Sequence, residues 1–157
     1  MAWEIERKFL VHGDAWRSQT AGVHCRQGYL SLDPERSVRV RVAGGRGTLT
    51  IKGLGLKEAR PEYEYEIPLP EAEALLDGLC ITPLIVKTRY RVPYQGLVWE
   101  VDVFAGENDG LVLAEVELEK IGQEILLPPW VGAEVTGDPR YFNAALVTHP
   151  FSHWKEA

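Results

Sequence analysis

The sequence predicts an α+β protein in which antiparallel strands dominate and close into a barrel. Charged and apolar residues alternate with a period of two through most of the 157-residue chain, which is the pattern of half-buried strands. Short connections that contain glycine, at 44–47 and 94–96, are typical of hairpins, because glycine adopts positive φ at little cost. Many strands joined by short turns favour an antiparallel meander that closes on itself.

The strand pattern repeats along the whole chain. It covers 3–11, 27–32, 37–43, 47–52, 62–69, 86–93, 97–104 and 112–120. The chain shows no linker, internal repeat or low-complexity segment, so we expect residues 1–157 to form a single domain.

Helix signals are few. Residues 70–79 begin with proline and continue with good helix formers, which predicts a helix. A short helical turn is expected at 14–20, with Asp14 as its N-cap. A C-terminal helix is expected over 138–147, because Asp138 is a capping residue and proline follows it at the first helical position.

Composition excludes several classes of protein. The formal net charge of −6 disfavours a general nucleic-acid binder, which needs a basic surface. No apolar run approaches the roughly 20 residues of a membrane span. The start of the chain is charged from Glu4 onward, unlike a signal peptide. Cys25 and Cys80 lack metal-type spacing, and we expect them to be buried and reduced in a cytoplasmic protein.

Residues two apart in a strand share a face, so the charged residues of each predicted strand lie together. The carboxylates on these faces are Glu4, Glu6, Glu62, Glu64, Glu66, Glu100, Asp102, Glu115, Glu117 and Glu119. The cations are Lys8, Arg39, Arg41, Lys52, Lys87, Arg89 and Arg91.

The commonest cause of such alternation is a charged face that points at water. Here most strands carry charges of one sign, although like charges two residues apart lie only about 6.5 Å from each other at ~3.3 Å rise per residue. The opposite faces are rich in Val, Ile, Trp and Tyr, and predicted helices are available to cover them. We therefore expect a barrel with a charged interior and an apolar outer wall.

A charged interior needs binding partners, because desolvated charge without them costs several kcal/mol per ion. Clustered carboxylates provide the oxygen ligands that Mg²⁺ or Mn²⁺ prefers. Clustered arginines suit phosphate oxygens. Carboxylates that bind a metal ion and cations that bind phosphate are the groups that catalyse phosphoryl transfer, so the expected ligand is a polyphosphate or a nucleoside triphosphate.

The opening strand carries the pattern E-x-E-x-K at residues 4–8, which resembles the CYTH superfamily, the triphosphate tunnel metalloenzymes. Later segments match in order, namely RQGYLS, VRVRV, TLTIK, RPEYEYEIP, KTRYRV, EVDVFAG, EVELE and EVTGDPRYFN. The resemblance spans nearly the whole chain. It implies an eight-stranded antiparallel tunnel that binds triphosphate at its basic side and metal at its acidic side.

The resemblance also implies a role for each matching residue. The expected metal ligands are Glu4, Glu6, Asp102, Glu115 and Glu117. The expected phosphate-binding cations are Lys8, Arg39, Arg41, Lys52, Lys87 and Arg89. Catalytic roles are expected for Glu4, Glu6, Lys52 and Lys87. Supporting roles are expected for Glu62, Glu64, Tyr29 and Arg140.

Tyr29 is either structural or a gate at one tunnel mouth. Close relatives tend to carry lysines through the D-x-R-Y-x-N stretch, whereas this chain has Pro139, Phe142 and Ala144 there, and Arg140 alone is basic.

The expected function is hydrolysis of inorganic tripolyphosphate to pyrophosphate and phosphate with Mg²⁺ or Mn²⁺. The chain is minimal and carries no extra segment suited to a nucleotide base or a thiazole ring. The alternatives are a class IV adenylyl cyclase, a thiamine triphosphatase, or a non-catalytic module that binds triphosphate or polyphosphate. We expect a small-molecule partner and neither nucleic acid nor membrane, and the resemblance allows a homodimer.

Overall fold

A computed structural model describes residues 3–17, 20–55 and 57–154. The strands are β1 Trp3–Val11, β2 Val23–Ser31, β3 Arg36–Ala43, β4 Arg46–Gly53, β5 Ala59–Ile67, β6 Ile81–Tyr94, β7 Leu97–Phe104, β8 Val112–Glu117 and β9 Val131–Glu134. The helices are α1 Leu69–Gly78 and α2 Asn143–Thr148, with 3₁₀ turns at Gly106–Asn108, Pro139–Tyr141 and Phe151–His153. Neither α1, α2 nor any 3₁₀ turn among these residues has the length and apolar character of a membrane-spanning helix.

The strands form one antiparallel sheet in the order β5-β4-β3-β2-β6-β7-β8-β1-β9. An additional pairing of β5 with β1 closes eight of the strands into a barrel. Strand β1 pairs with β8 along residues 6–10, while β5 pairs with its first residues and β9 with its last. The predicted closed antiparallel barrel and the α+β class are therefore confirmed.

The outer wall of the barrel is apolar and is covered by two different kinds of segment. Helix α1 packs Ala72 and Leu76 against Val40 of β3. On the opposite side, Trp16 and Trp130 come from irregular segments and pack in a cluster with Trp99 of β7. Helix α1 thus covers one part of the outer wall, and irregular segments that carry tryptophan cover another part.

Helix α2 lies at one end of the barrel and not on its outer wall. Ile85 is two residues from Lys87 and Leu113 is two residues from Glu115, so both share an inward face with a charged residue. These aliphatic side chains form a buried cluster with Leu146 of α2 and with other apolar residues. The barrel interior is therefore apolar at this end and charged beyond it.

The observed elements differ from the predictions in several places. Strand β2 begins four residues earlier than predicted and β6 begins five residues earlier, whereas β8 ends at Glu117. Strand β9 was not predicted. The predicted helix over 138–147 is split, because Phe142 has an extended backbone between the 3₁₀ turn and α2. Asp138 still caps the turn, and its carboxylate accepts a hydrogen bond from the backbone N–H of Arg140.

Other predictions about local structure have mixed outcomes. The helix expected at 70–79 is confirmed as α1. In the segment 14–20, the backbone N–H of Arg17 donates to the carbonyl of Asp14 in a turn, and residues 18–19 of that prediction lie outside the described part of the chain. The two cysteines are buried and free, as expected.

Candidate active site

The inward faces of the barrel strands enclose a cavity of about 730 Å³, here called the tunnel cavity. The predicted site residues that line it are Glu4, Glu6, Lys8, Tyr29, Arg39, Arg41, Lys52, Glu62, Glu64, Lys87, Arg89, Glu115 and Glu117. Two predicted residues, Asp102 and Arg140, do not line it. For the residues that line the cavity, the alternation of charge therefore comes from a shared enclosed space, whereas Glu66 and Arg91 of the same pattern are exposed.

The carboxylates concentrate on three neighbouring strands, β8, β1 and β5. We call this part of the cavity the acidic wall, and it consists of Glu4, Glu6, Glu62, Glu115 and Glu117. Glu6 lies directly opposite Glu117 in the β1–β8 ladder. The acidic wall therefore places several like charges within a small volume, which requires cations nearby.

Two lysines partly neutralise the acidic wall. Lys52 Nζ lies 2.7 Å from Glu4 Oε1 and 3.3 Å from Glu62 Oε2. Lys8 Nζ lies 3.7 Å from Glu115 Oε1 and donates to the backbone carbonyl of Tyr141 at 3.0 Å. These lysines link the carboxylates of three strands, and they leave Glu6 without a salt bridge among the described residues.

The pKa values on the acidic wall separate into two groups. Burial raises the pKa of Glu6 well above its ordinary value, and the neighbouring Glu115 and Glu4 raise it further. Burial also raises the pKa of Glu117. For Glu115, burial acts in the same direction, but attraction from cations, led by Lys8, outweighs it and lowers the pKa well below the ordinary range. Burial and the neighbouring carboxylates therefore make Glu6 the carboxyl on the acidic wall whose ionised form most needs a cation.

The cations concentrate on β4, β3 and β6. We call this part of the cavity the basic wall, and it consists of Arg39, Arg41, Lys52, Lys87 and Arg89. Arg39 Nη2 donates to Thr50 Oγ1 at 3.2 Å, and its buried Nε has no hydrogen-bond partner within the described residues. Burial and the adjacent Arg39 and Arg89 lower the pKa of Arg41 to about 10. Among the described residues Arg41 has no salt bridge and bonds a neutral amide, and Arg39 Nε has no acceptor, so these donors of the basic wall are available to a ligand.

Asp102 lies behind the basic wall and binds two of its cations. Its carboxylate accepts hydrogen bonds from Arg89 Nε at 2.7 Å and Arg89 Nη2 at 2.8 Å, and Lys87 Nζ lies 2.7 Å away. Both carboxylate oxygens thus contact cations. The contact with Arg89 arises because the β6–β7 ladder pairs Asp102 directly with that residue. The structure places this residue, which we expected among the metal ligands, as an anchor for Lys87 and Arg89.

The buried pair of Lys87 and Asp102 has unequal consequences for its two members. Burial lowers the pKa of Lys87 to about 7, and repulsion from Arg89 and Arg41 adds to the effect of burial despite the attraction of Asp102. Burial raises the pKa of Asp102, but attraction from Lys87 and Arg89 outweighs burial and leaves the pKa below its ordinary value. Asp102 is therefore ionised, while Lys87 loses its proton readily for a lysine.

Other predicted residues lie away from the centre of the cavity. Tyr29 is buried in the apolar cluster that includes α2 and also borders the tunnel cavity, so both of its predicted roles stay predictions. Arg140 is exposed and pairs with Asp138 at 2.9 Å. Glu66 pairs with Arg46 on the barrel surface. Glu66, from the alternating pattern, and Arg140, from the D-x-R-Y-x-N stretch, therefore do not take part in the central cluster.

Sequence reasoning missed four residues that line the cavity or contact its cations. Arg60 Nε lies 3.7 Å from Glu4 Oε1, and the Arg60 guanidinium lies over the ring of Phe142, which also faces Lys8. Gln27 and Asn143 hydrogen-bond with each other and with cations of the basic wall. Arg60 shares a strand face with Glu62, and Gln27 shares one with Tyr29, so period two would have found both.

The donor chemistry of the acidic wall fits a hard divalent cation. Among the described residues, no three Asp, Glu, His or Cys side chains converge on a common point as they stand. The wall nevertheless brings together carboxylates from adjacent strands, which are the ligands that such a cation prefers. The pKa of Glu6 is raised first by its burial and then by repulsion from Glu115 and Glu4. Glu4, Glu6, Glu115 and Glu117 are the residues that would bind such an ion.

The arrangement as a whole suits a small, highly anionic ligand that also coordinates a cation. Guanidinium groups offer paired donors to phosphate oxygens, and the barrel wall excludes bulk water from them. The acidic and basic walls line one cavity and meet where Lys52 Nζ lies 2.7 Å from Glu4 Oε1. A polyphosphate meets both requirements because its oxygens bind arginine and divalent metals alike.

Comparison with known proteins agrees with this chemistry. A protein named inorganic triphosphatase from Acetivibrio thermocellus is 51% identical over 156 residues, which cover 99% of this chain and 100% of that protein. A second protein of that name, from Nitrosomonas europaea, is 40% identical over 148 residues and covers 91% and 95%. A crystal structure described as an inorganic triphosphatase superposes with a TM-score of 0.64 at 37% identity, covering 92% of this chain and 97% of the other.

The family model of the CYTH domain matches residues 2–146. This match covers nearly the whole chain, so the resemblance drawn from the strand motifs is confirmed. The chain belongs to the CYTH domain family.

Proposed function

We propose that this protein hydrolyses inorganic tripolyphosphate to pyrophosphate and phosphate in a reaction that depends on Mg²⁺ or Mn²⁺. The observation that carries the proposal is the opposition of an acidic and a basic wall within one enclosed cavity. Two relatives that match this chain over almost all of its length are named inorganic triphosphatase, which supports the same substrate. The expected homodimer and cytoplasmic location stay predictions.

In this proposal the basic wall binds the phosphates. Arg39 and Arg41 point into the cavity from alternate positions of β3, and Arg89 points in from β6. Their guanidinium groups would donate to phosphate oxygens and stabilise the charge that develops during transfer. The unpartnered buried Nε of Arg39 supports this assignment, because a buried donor without a partner is unfavourable until a ligand supplies one.

The acidic wall would bind the cation through Glu4, Glu6, Glu115 and Glu117. A bound divalent cation supplies charge neutralisation and activates water for attack on phosphorus. Lys52 lies at the border between the two walls, 2.7 Å from Glu4, and would orient the reacting phosphate or the attacking water. Burial lowers the pKa of Lys87 to about 7, so both its protonated and its neutral form are populated near neutral pH. Lys87 would therefore give a proton to the reacting groups or take one from them.

The experiment is a panel of phosphate donors tested with Mg²⁺ and with Mn²⁺, each with and without chelator, with products identified by phosphorus NMR. We expect orthophosphate and pyrophosphate from tripolyphosphate, and no product with chelator. Cyclic AMP with pyrophosphate from ATP would show a cyclase, preferred turnover of thiamine triphosphate would show a thiamine triphosphatase, and binding without product would show a non-catalytic module. Any of these three results in place of tripolyphosphate hydrolysis would overturn the proposal.

A further inference from the structure

A chain of hydrogen bonds through two neutral amides links the cations of the basic wall to α2. Arg41 Nε donates to Gln27 Oε1 at 2.9 Å. Gln27 Nε2 donates to Asn143 Oδ1 at 2.9 Å, and Lys87 Nζ donates to the same oxygen at 3.1 Å. Gln27 is fully buried, and Asn143 lines the tunnel cavity. Neither amide belongs to the alternating charge pattern of the strands.

The two ends of this chain determine the orientation of both amides. Arginine and lysine side chains only donate hydrogen bonds, so each end requires an acceptor. Gln27 must therefore present its oxygen to Arg41, which leaves its nitrogen to donate toward Asn143. Asn143 must present its oxygen to Gln27 and Lys87 together. The amide nitrogen of Asn143 is thereby directed away from both partners.

The Asn143 amide nitrogen has two hydrogens that remain available. Within the described residues no acceptor takes a hydrogen bond from it, and the nitrogen is not among their buried unsatisfied atoms. The nitrogen is thus accessible, and Asn143 borders the tunnel cavity together with Arg41 and Lys87. An available donor at this position faces the space where the basic wall would bind an anion.

We propose that Asn143 binds a phosphate oxygen of the substrate through its amide nitrogen, and that Gln27 is a positioning residue that orients this amide. The inference rests on the proposed function only in taking a polyphosphate as the ligand. A neutral donor adds a hydrogen bond to the phosphate without adding charge to a wall where Arg41, Lys87 and Arg89 already repel each other. Replacement of the amide by a further lysine would lack this advantage.

The test is tripolyphosphate binding measured by calorimetry in chelator, where the metal-dependent reaction is stopped. N143D is the sharpest variant, because its carboxylate still accepts from Gln27 and Lys87 but replaces the donor with a repelling oxygen. N143A removes the side chain and decides the question if N143D does not fold. We expect N143A to raise Kd about tenfold, as loss of one hydrogen bond to a charged group does, and N143D to raise it further.

A matched control is available outside the tunnel cavity. Asn108 is a buried asparagine whose Oδ1 accepts a hydrogen bond from the backbone N–H of Phe151 at 2.8 Å. N108D makes the same chemical change at a residue that does not line the tunnel cavity, and we expect it to leave Kd for tripolyphosphate unchanged. Thermal unfolding of each variant shows whether it is folded before its binding is compared.

The role of Gln27 is tested by a double-mutant cycle. We expect Q27M to raise Kd less than N143A does, and to have a smaller effect in the N143A background than in wild type, because there is then no amide to orient. Folded N143A or N143D that binds tripolyphosphate as wild type does would overturn the assignment of Asn143. Equal effects of Q27M in both backgrounds would overturn the positioning role of Gln27. Wild-type protein that neither binds nor hydrolyses tripolyphosphate would instead overturn the proposed function.

Discussion

Two ion pairs with the same separation, one on the barrel surface and one inside, differ in their exposure and in what shifts the pKa values of their members. On the barrel surface, Arg46 Nη2 lies 2.7 Å from Glu66 Oε1, with 68% and 58% of the two side chains exposed. Inside, Lys87 Nζ also lies 2.7 Å from Asp102 Oδ2, with 0% and 1% exposed. Hydrogen bonding to Arg46 lowers the pKa of Glu66, with little effect from burial, whereas burial is the largest influence on both interior groups.

The comparison shows that burial, and not distance, decides what a pair of charges does. The surface pair is solvated and screened, and such pairs add little to stability. The interior pair has lost its water, so each partner depends on the other and on Arg89. The barrel therefore keeps several charges in a place that is costly for folding, which is expected where those charges bind a ligand.

The largest expected effect is the loss of turnover when the acidic wall is changed. We expect E4Q and E6Q each to reduce metal-dependent hydrolysis at least about a thousandfold, since a metal ion contributes several kcal/mol of charge stabilisation in the transition state. The measurement is kcat/KM for tripolyphosphate. E66Q makes the same substitution on the surface and should retain wild-type activity. Full activity in E4Q or E6Q would contradict the assignment of the acidic wall.

The second effect separates the two ion pairs by stability. D102N removes the carboxylate charge that Lys87 and Arg89 share, and we expect it to lower the free energy of unfolding by about 3 kcal/mol, the lower part of the range for a broken buried pair. Lys87 can release a proton in response, but Arg89 cannot, which is why a large cost remains. Urea denaturation measures the change. A cost for D102N no greater than for E66Q would show that burial does not distinguish these pairs.

A smaller effect is expected from the geometry of the basic wall. R39K keeps the positive charge but removes the planar fork, including the buried Nε that has no partner among the described residues. We expect Kd for tripolyphosphate in chelator to rise about tenfold, as for loss of one charged hydrogen bond. R46K, the same change on the surface, should leave Kd unchanged. Unaltered binding by folded R39K would mean that charge alone, without the fork, determines affinity.

Much of the barrel was predictable from sequence because its interior repeats one rule. Most strands of the barrel alternate charged and apolar residues, so the inward faces at Glu4, Arg39 and Glu115 follow directly from period two. Strand β9 escaped prediction because VGAE has only four residues and no alternation of charge with apolar side chains. The placement of α2 at the barrel end also escaped, because helix formers indicate a helix but not the surface on which it packs.

The candidate site was less fully predictable, and two residues show why. Asp102 shares a strand face with Glu100, so its sequence pattern is that of the other predicted metal ligands. Its contacts depend instead on the pairing of β6 with β7, which places Asp102 against Arg89. Asn143 contacts Gln27 across 116 residues of sequence, and neither amide carries a charge that would mark it. Such contacts depend on tertiary packing, and a single sequence does not specify them by pattern.

The smallest expected effect concerns a surface pair between β1 and β9. Arg7 Nη2 donates to Glu134 Oε1 at 2.7 Å and Arg7 Nε donates to Glu134 Oε2 at 2.9 Å. Hydrogen bonding to Arg7 lowers the pKa of Glu134, so its contribution to stability is present above the ordinary pKa of glutamate and is lost as pH falls through the lowered value. Because both side chains remain partly exposed, at 23% and 33%, we expect E134Q to lower the free energy of unfolding by less than about 1 kcal/mol at pH 7.

The Arg7–Glu134 pair also tests whether surface and interior ion pairs differ in how their contribution to stability depends on pH and salt. The difference in urea stability between wild type and E134Q should shrink toward zero at low pH, since a protonated Glu134 no longer pairs with Arg7 as an ion. Added salt should reduce the difference at neutral pH, because solvated charges are screened. The cost of D102N should respond much less to salt, since water and ions do not reach that pair. A cost for E134Q that is independent of both pH and salt would place this pair with the buried ones and remove the distinction.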